Sequence, residues 1–195
     1  MNSDGCSTLN VPQLKNAAVI TPCGMLIEPY GEHKFSEIKA AYSAQAQKNS
    51  EASAFILKGM VMLSDLRAAL LACRKTGKPV YAELMIDEEL RTTAELPADA
   101  ALITLQSMGL SGFGVKSSDE ENTVAAVKRL VQFADIPVFA RISEASADEI
   151  SASGIDISTI EDYCVFSITK EEKETAIMLS NEREAFFLEP DTTEL

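Results

Sequence analysis

The residues able to do the most distinctive chemistry are four cysteines, because a thiolate can hold zinc or act as a nucleophile. They stand at Cys6, Cys23, Cys73 and Cys164, and no two have the C-x-x-C spacing of a structural metal site or a redox couple. Cys73 follows Ala68-Ala69-Leu70-Leu71-Ala72, an apolar helical pattern that predicts a buried, inert thiol. A zinc site made from Cys6, Cys23 and Cys164 would need three separate loops to converge on bonds of about 2.3 Å. The expectation is therefore no metal and no cofactor, with zinc reserved for the alternative in which those loops do converge.

Cations form the second set. Lys58, Lys116 and Arg141 each close or follow an apolar run, so a sheet that laid those runs side by side would bring them to one rim. Such a rim, with Ser117 and Cys23 beside it, is a candidate pocket for a small anionic ligand. The competing outcome is pairing with the chain's own carboxylates. The single histidine, His33, lies in the polar stretch Gly31-Glu32-His33-Lys34, where a solvated side chain is expected. Asp87-Glu88-Glu89 reads as a solvated loop, not as an acid–base pair.

The elements that must position these side chains alternate. Apolar, strand-like runs occur at Ala18-Val19-Ile20, Ala54-Phe55-Ile56-Leu57, Pro79 to Leu84, Gly112 to Val115 and Ile136 to Ala140. Each is followed by a turn signal and then a helix-period pattern, which is how a parallel sheet of βα units reads. Helices are predicted over Phe35–Asn49 with Ser36 as cap, and over Ser64–Lys75 with Ser64 as cap and Gly77 as stop. Three more are predicted over Ala98–Met108, Ser118–Ala134 and Ala145–Ser153. The last strand candidate is Tyr163–Ile168. Residues 1–16 are a lead-in with little periodicity, 17–170 the domain, and 171–195 a hairpin, a helix or a linker-like tail.

A chain of 195 residues is long enough for one self-sufficient core, whereas an eight-stranded βα barrel usually needs about 250. An α/β fold is expected, a partial or truncated barrel of five to six parallel strands with outer helices. Against 17 basic residues stand 30 acidic ones, a formal charge of −13, which argues against nucleic acid and anionic membranes as partners. There is no apolar run of about 18 residues and no basic-then-apolar start; the expected location is the cytoplasm.

Several segments resemble the homocysteine S-methyltransferase family, in particular the homocysteine-binding domain of cobalamin-dependent methionine synthase. The family's wording "GSIGPTG…L.PYG" is similar to Ile20-Thr21-Pro22-Cys23-Gly24-Met25-Leu26-Ile27-Glu28-Pro29-Tyr30-Gly31. Its "G.PV.VSMTFDE.GRT" is similar to Gly77-Lys78-Pro79-Val80, Met85-Ile86-Asp87-Glu88 and Arg91-Thr92, and its "DLPV" to Asp135-Ile136-Pro137-Val138. The likeness covers about two-thirds of the chain and starts at the third of the family's eight strands.

The resemblance implies a thiolate-bound zinc that activates homocysteine, and here the chain departs from it. One zinc cysteine belongs to the wording "G-x-N-C-S", which is Gly114-Val115-Lys116-Ser117-Ser118 in this chain. Ser117 thus stands at the ligand position, with Lys116 beside it. The "GGCCG" run that supplies the other two ligands is absent, and the "ETM" glutamate position reads Lys58-Gly59-Met60. The expected function is a methionine-synthase-like protein that has lost zinc-dependent methyl transfer and serves as a binding or interaction module, alongside corrinoid or other methyl-transfer proteins. The alternative is an active methyltransferase subunit whose zinc site is rebuilt, or completed by a partner. An incomplete barrel must also cover its open edges. The predicted covers are the apolar residues of the segment Thr175–Leu188 or a second copy of the chain, a homodimer.

Overall fold

The computed structural model describes residues 16–160 and 163–167. Its strands are β1 (Ala17–Ile20), β2 (Ala54–Lys58), β3 (Val80–Met85), β4 (Gly112–Lys116), β5 (Val138–Ala140), β6 (Asp156–Ile160) and β7 (Tyr163–Ser167). The helices are α1 (Phe35–Lys48), α2 (Leu63–Arg74), α3 (Ala98–Ser107), α4 (Glu120–Leu130) and α5 (Glu144–Ala152).

Strand order across the sheet is β1-β2-β3-β4-β5-β7-β6, and β1 to β5 are parallel. Each strand lies next to its predecessor, always in the same direction across the sheet. Since βαβ crossovers are almost always right-handed, an unreversed order puts every connecting helix on one face. The core follows suit. Ile38, Leu66, Leu102, Val127 and Ile150, one from each helix, join Phe55, Leu57, Val80, Phe113, Val115 and Val138 of the strands in a single buried cluster. The alternate strand residues Ala54, Ile56, Tyr81 and Phe139 form a separate buried group on the opposite face. This is a partial βα barrel, with helices outside and a side-chain-lined inner face.

Glycine on β4 shapes that inner face. A Cβ at Gly114 would lie 2.2 Å from the Phe139 ring, and one at Gly112 would lie 2.9 Å from Tyr81. Only a strand without those side chains lets the two rings reach across it. They meet edge to face, 6.2 Å apart at 78°, an arrangement that adds to the burial term.

Five strands are parallel, at the lower end of the expected five to six, and the sixth candidate takes another direction. Tyr163–Ser167 is a strand, but it runs antiparallel to β5 (Val138↔Phe166, Ala140↔Cys164) and pairs with β6, which the apolar pattern does not reveal. Two residues separate β6 from β7, too few for a parallel crossover, so the pair must be a hairpin. This hairpin satisfies the edge of β5. The tail expected to cover an edge, Thr175–Leu188, lies outside the described residues.

Two helix caps fall two positions earlier than the serines suggest. Lys34 is the N-cap of α1, and its N–H donates to Glu37 Oε2 at 3.0 Å. Met62 is the N-cap of α2, so Ser36 and Ser64 are the second residues of their helices rather than caps. The acidic opening of α4 does cap: Asp119 accepts from the Glu121 N–H at 3.0 Å. Among the described residues no helix is long and apolar enough to cross a membrane.

Candidate functional site

Parallel strands deliver their C-terminal ends to one side of the sheet, and in a barrel of this kind that side builds the site. Lys58 ends β2 in register with Glu83 of β3, and its Nζ lies 3.1 Å from Glu83 Oε1, both side chains mostly buried. Lys116 ends β4 in register with Met85, exposed at the rim. Arg141 follows β5 directly and is exposed.

Ser117 is buried and tied into the start of α4. Its N–H donates to Thr123 Oγ1 at 3.1 Å, and its Oγ accepts from the Asp119 N–H at 3.4 Å. Thr123 Oγ1 in turn donates to the Asp119 carbonyl at 3.3 Å. Ser117 therefore works as a hinge-pin of the strand-to-helix turn.

The cysteines are spread out. Cys23 is half-buried in the loop after β1 at one side of the sheet, while Cys164 lies in β7 beyond β5. Cys6 lies outside the described residues. Among the described residues no three His, Cys, Asp or Glu side chains are grouped to hold a metal. Cys73 is fully buried, and burial pushes its thiol up to about 12. His33 is partly exposed, with Nδ1 3.5 Å from Glu37 Oε2.

Two polar constellations escape the sequence reading. Tyr42 falls on the apolar stripe of α1 and is buried, yet its hydroxyl donates to Asp65 Oδ1 at 2.6 Å and accepts from the Cys23 N–H at 3.2 Å. Burial, and then the neighbouring Asp65, push the Tyr42 phenol upward. Burial likewise raises the Asp65 carboxyl, and the Tyr42 hydrogen bond only partly offsets it. The second constellation joins α4 to α5. Glu120 Oε1 accepts from the Ser143 N–H at 2.7 Å, from Ser143 Oγ at 2.7 Å and from Ser146 Oγ at 2.6 Å. Those donors hold the Glu120 carboxyl down at about 2.

Beside the Tyr42–Asp65 pair lies a cleft of about 280 Å³. Met25, Leu26 and Ile27 wall it from the first loop, Ile38 from α1, and Val61 and Met62 from the loop after β2. Asp65 and Ser64, at the start of α2, are its polar end. Gly59 lines it with φ +74°, a left-handed turn that directs the chain from β2 into α2 with Pro22 packed above.

The family model for homocysteine S-methyltransferase matches residues 6–165. The chain belongs to the homocysteine S-methyltransferase family. No curated protein matches it. Among solved structures it is similar to an enolase, a putative sugar isomerase from Streptomyces coelicolor, at 18% identity and a TM-score of 0.48, covering 70% of this chain and 35% of that one. It is also similar to a type I 3-dehydroquinate dehydratase from Clostridium difficile, at 12% identity and a TM-score of 0.39, covering 64% of this chain and 50% of the other. The chain thus spans half or less of the length of either.

Proposed function

We propose that this member of the homocysteine S-methyltransferase family keeps the fold as a binding or interaction module and does not carry out zinc-dependent methyl transfer. The observation that carries this reading is Ser117. Thiolate ligands bind zinc because they are soft anions, whereas a serine hydroxyl is neutral at physiological pH and a weak donor. Here that hydroxyl already accepts from the Asp119 N–H, and the preceding residue, Lys116, brings an ammonium to the same turn, which opposes a bound cation. The residues present do not fit the zinc site that the resemblance implies. Corrinoid or other methyl-transfer proteins are the partners that suit such a module, and a second copy of the chain is the partner that suits the outer edge of β1, which no described strand pairs.

Metal content and turnover test this directly. The purified full chain, dialysed against a weak chelator, should hold far less than one zinc per chain and form no methionine from methylcobalamin and homocysteine above the protein-free rate. Near-stoichiometric zinc or methionine formation would overturn the reading. Either result would favour the alternative, in which Cys6, Cys23 and Cys164, or ligands from another chain, rebuild the site.

A further inference from the structure

The cleft is walled by the loops after β1 and β2 and by the start of α2, so it lies on the C-terminal side of the sheet near the end of β2, apart from Ser117 at the end of β4. Its walls are apolar, and among the described residues Asp65 is the one charged side chain that lines it. Oδ1 of Asp65 is taken by the Tyr42 hydroxyl; its second oxygen has no hydrogen-bond partner among the described residues. That oxygen is open to solvent, so a cation in the cleft can reach the carboxylate while its aliphatic part covers the apolar walls.

Three further observations select the sign of the ligand's charge. Among the described residues no Lys or Arg lines the cleft, so an anion would meet Asp65 there and be repelled. The amide dipoles at the start of α2 are already opposed by Asp65 in its first turn, which removes the usual anion-binding capacity of a helix start. The net charge of −13 raises the local concentration of cations and lowers that of anions. Size sets the remaining limit: about 280 Å³ is just below the range of roughly 300–1,000 Å³ common for drug-sized ligands, so the guest is smaller.

We propose that this cleft binds a small organic ammonium ion with a short aliphatic body, its ammonium against Asp65 and its chain against Met25, Ile27, Ile38 and Val61. The site does not depend on the fate of the zinc chemistry, so the two readings stand or fall separately.

The test uses three five-carbon probes that differ only in the head group: n-pentylammonium, 1-pentanol and pentanoate. Each is titrated into the full chain while backbone amide resonances are followed by NMR. Pentylammonium should give saturable shifts at Met25, Ile27 and Ser64 in the millimolar range. Pentanol should bind about tenfold more weakly, the usual value of one charge-assisted hydrogen bond, and pentanoate should give no saturable shift. Val61→Trp, which fills the cleft, should abolish binding of all three while the amide spectrum stays dispersed. Asp65→Asn, which can still accept from Tyr42, should reduce pentylammonium to the level of pentanol. Equal binding of pentanoate, pentylammonium shifts that persist in V61W, undiminished preference for the amine in D65N, or no saturable shift with any probe would overturn the proposal.

Discussion

Replacing Tyr42 by Phe isolates the polar link that fastens the first loop to the helical layer. Tyr42 is fully buried, and Phe keeps its ring and its packing, so the variant removes one oxygen and creates almost no cavity. What disappears is the donor to Asp65 Oδ1 at 2.6 Å and the acceptor for the Cys23 N–H at 3.2 Å. A neutral hydrogen bond contributes about 1 kcal/mol and one to a charged group about 1.5–3. Asp65 and Cys23 are only half-buried, so water replaces part of each, and the expected loss is about 2 kcal/mol. In urea that corresponds to a midpoint lowered by roughly 1 M. The size of the loss should also depend on pH. Asp65 has its folded carboxyl raised above the unfolded value of 3.8, so its contribution is most favourable below that value and declines as pH rises through the folded one. The Tyr42 hydrogen bond favours the carboxylate, so without it the decline is steeper and the Y42F deficit widens toward neutral pH. Urea melts followed by far-UV circular dichroism, in acid and at neutral pH, measure both quantities. A deficit below about 0.5 kcal/mol, or one that does not change with pH, would show that the hydroxyl is not coupled to Asp65.

Two other outcomes follow from the same kind of reasoning. Glu120 is held at about 2 by its serine donors; because its folded pKa is depressed, its contribution is present above the unfolded value of 4.5 and is lost as pH falls toward 2. An NMR carboxyl titration should find Glu120 low in the folded chain, and Glu120→Gln should reduce amide-exchange protection at the start of α5; a normal titration and unchanged protection would refute the link. Cys73, raised to about 12 and fully buried, should resist iodoacetamide at pH 8 in the folded protein, while the half-buried Cys23 reacts. Labelling of Cys73 as fast as Cys23 would mean that α2 opens readily.

The fold is legible where burial dictates residue type. Runs such as Ala54–Leu57 and Gly112–Val115 are apolar without alternation because a parallel strand is covered on both faces, and the spacing between them leaves room for one helix each. The hairpin β6–β7 is not legible, because Asp156-Ile157-Ser158-Thr159-Ile160 carries hydroxyls and a charge instead of an apolar run. The serines at helix starts mislead for a local reason: the Glu37 carboxylate fixes Lys34 as the cap of α1, and propensity for serine is overridden by that one hydrogen bond. Nothing in the sequence singles out Asp65, one acid among many in an acidic chain. Only packing against Tyr42, a residue whose apolar ring satisfies the helical stripe while its hydroxyl is polar, makes it distinctive.

Glu83 shows why the strand ends differ in kind from the strand interiors. An acid inside the otherwise apolar run Val80 to Leu84 must find a partner once the sheet forms, since a carboxylate mostly removed from water is costly when unpaired. Parallel register places it beside Lys58, the residue that occupies the position of the glutamate in the "ETM" wording of the resembled family. A glutamate at both positions would set two like charges side by side. With lysine at one of them the pair closes at 3.1 Å, and the cation is engaged by the chain's own carboxylate. Lys58 therefore presents neither a carboxylate nor an uncompensated positive charge to a ligand at the mouth. Ser117, in the turn before α4, is likewise engaged within the chain, its N–H on Thr123 Oγ1 and its Oγ on the Asp119 N–H, so both strand ends are tied into the chain's own polar contacts.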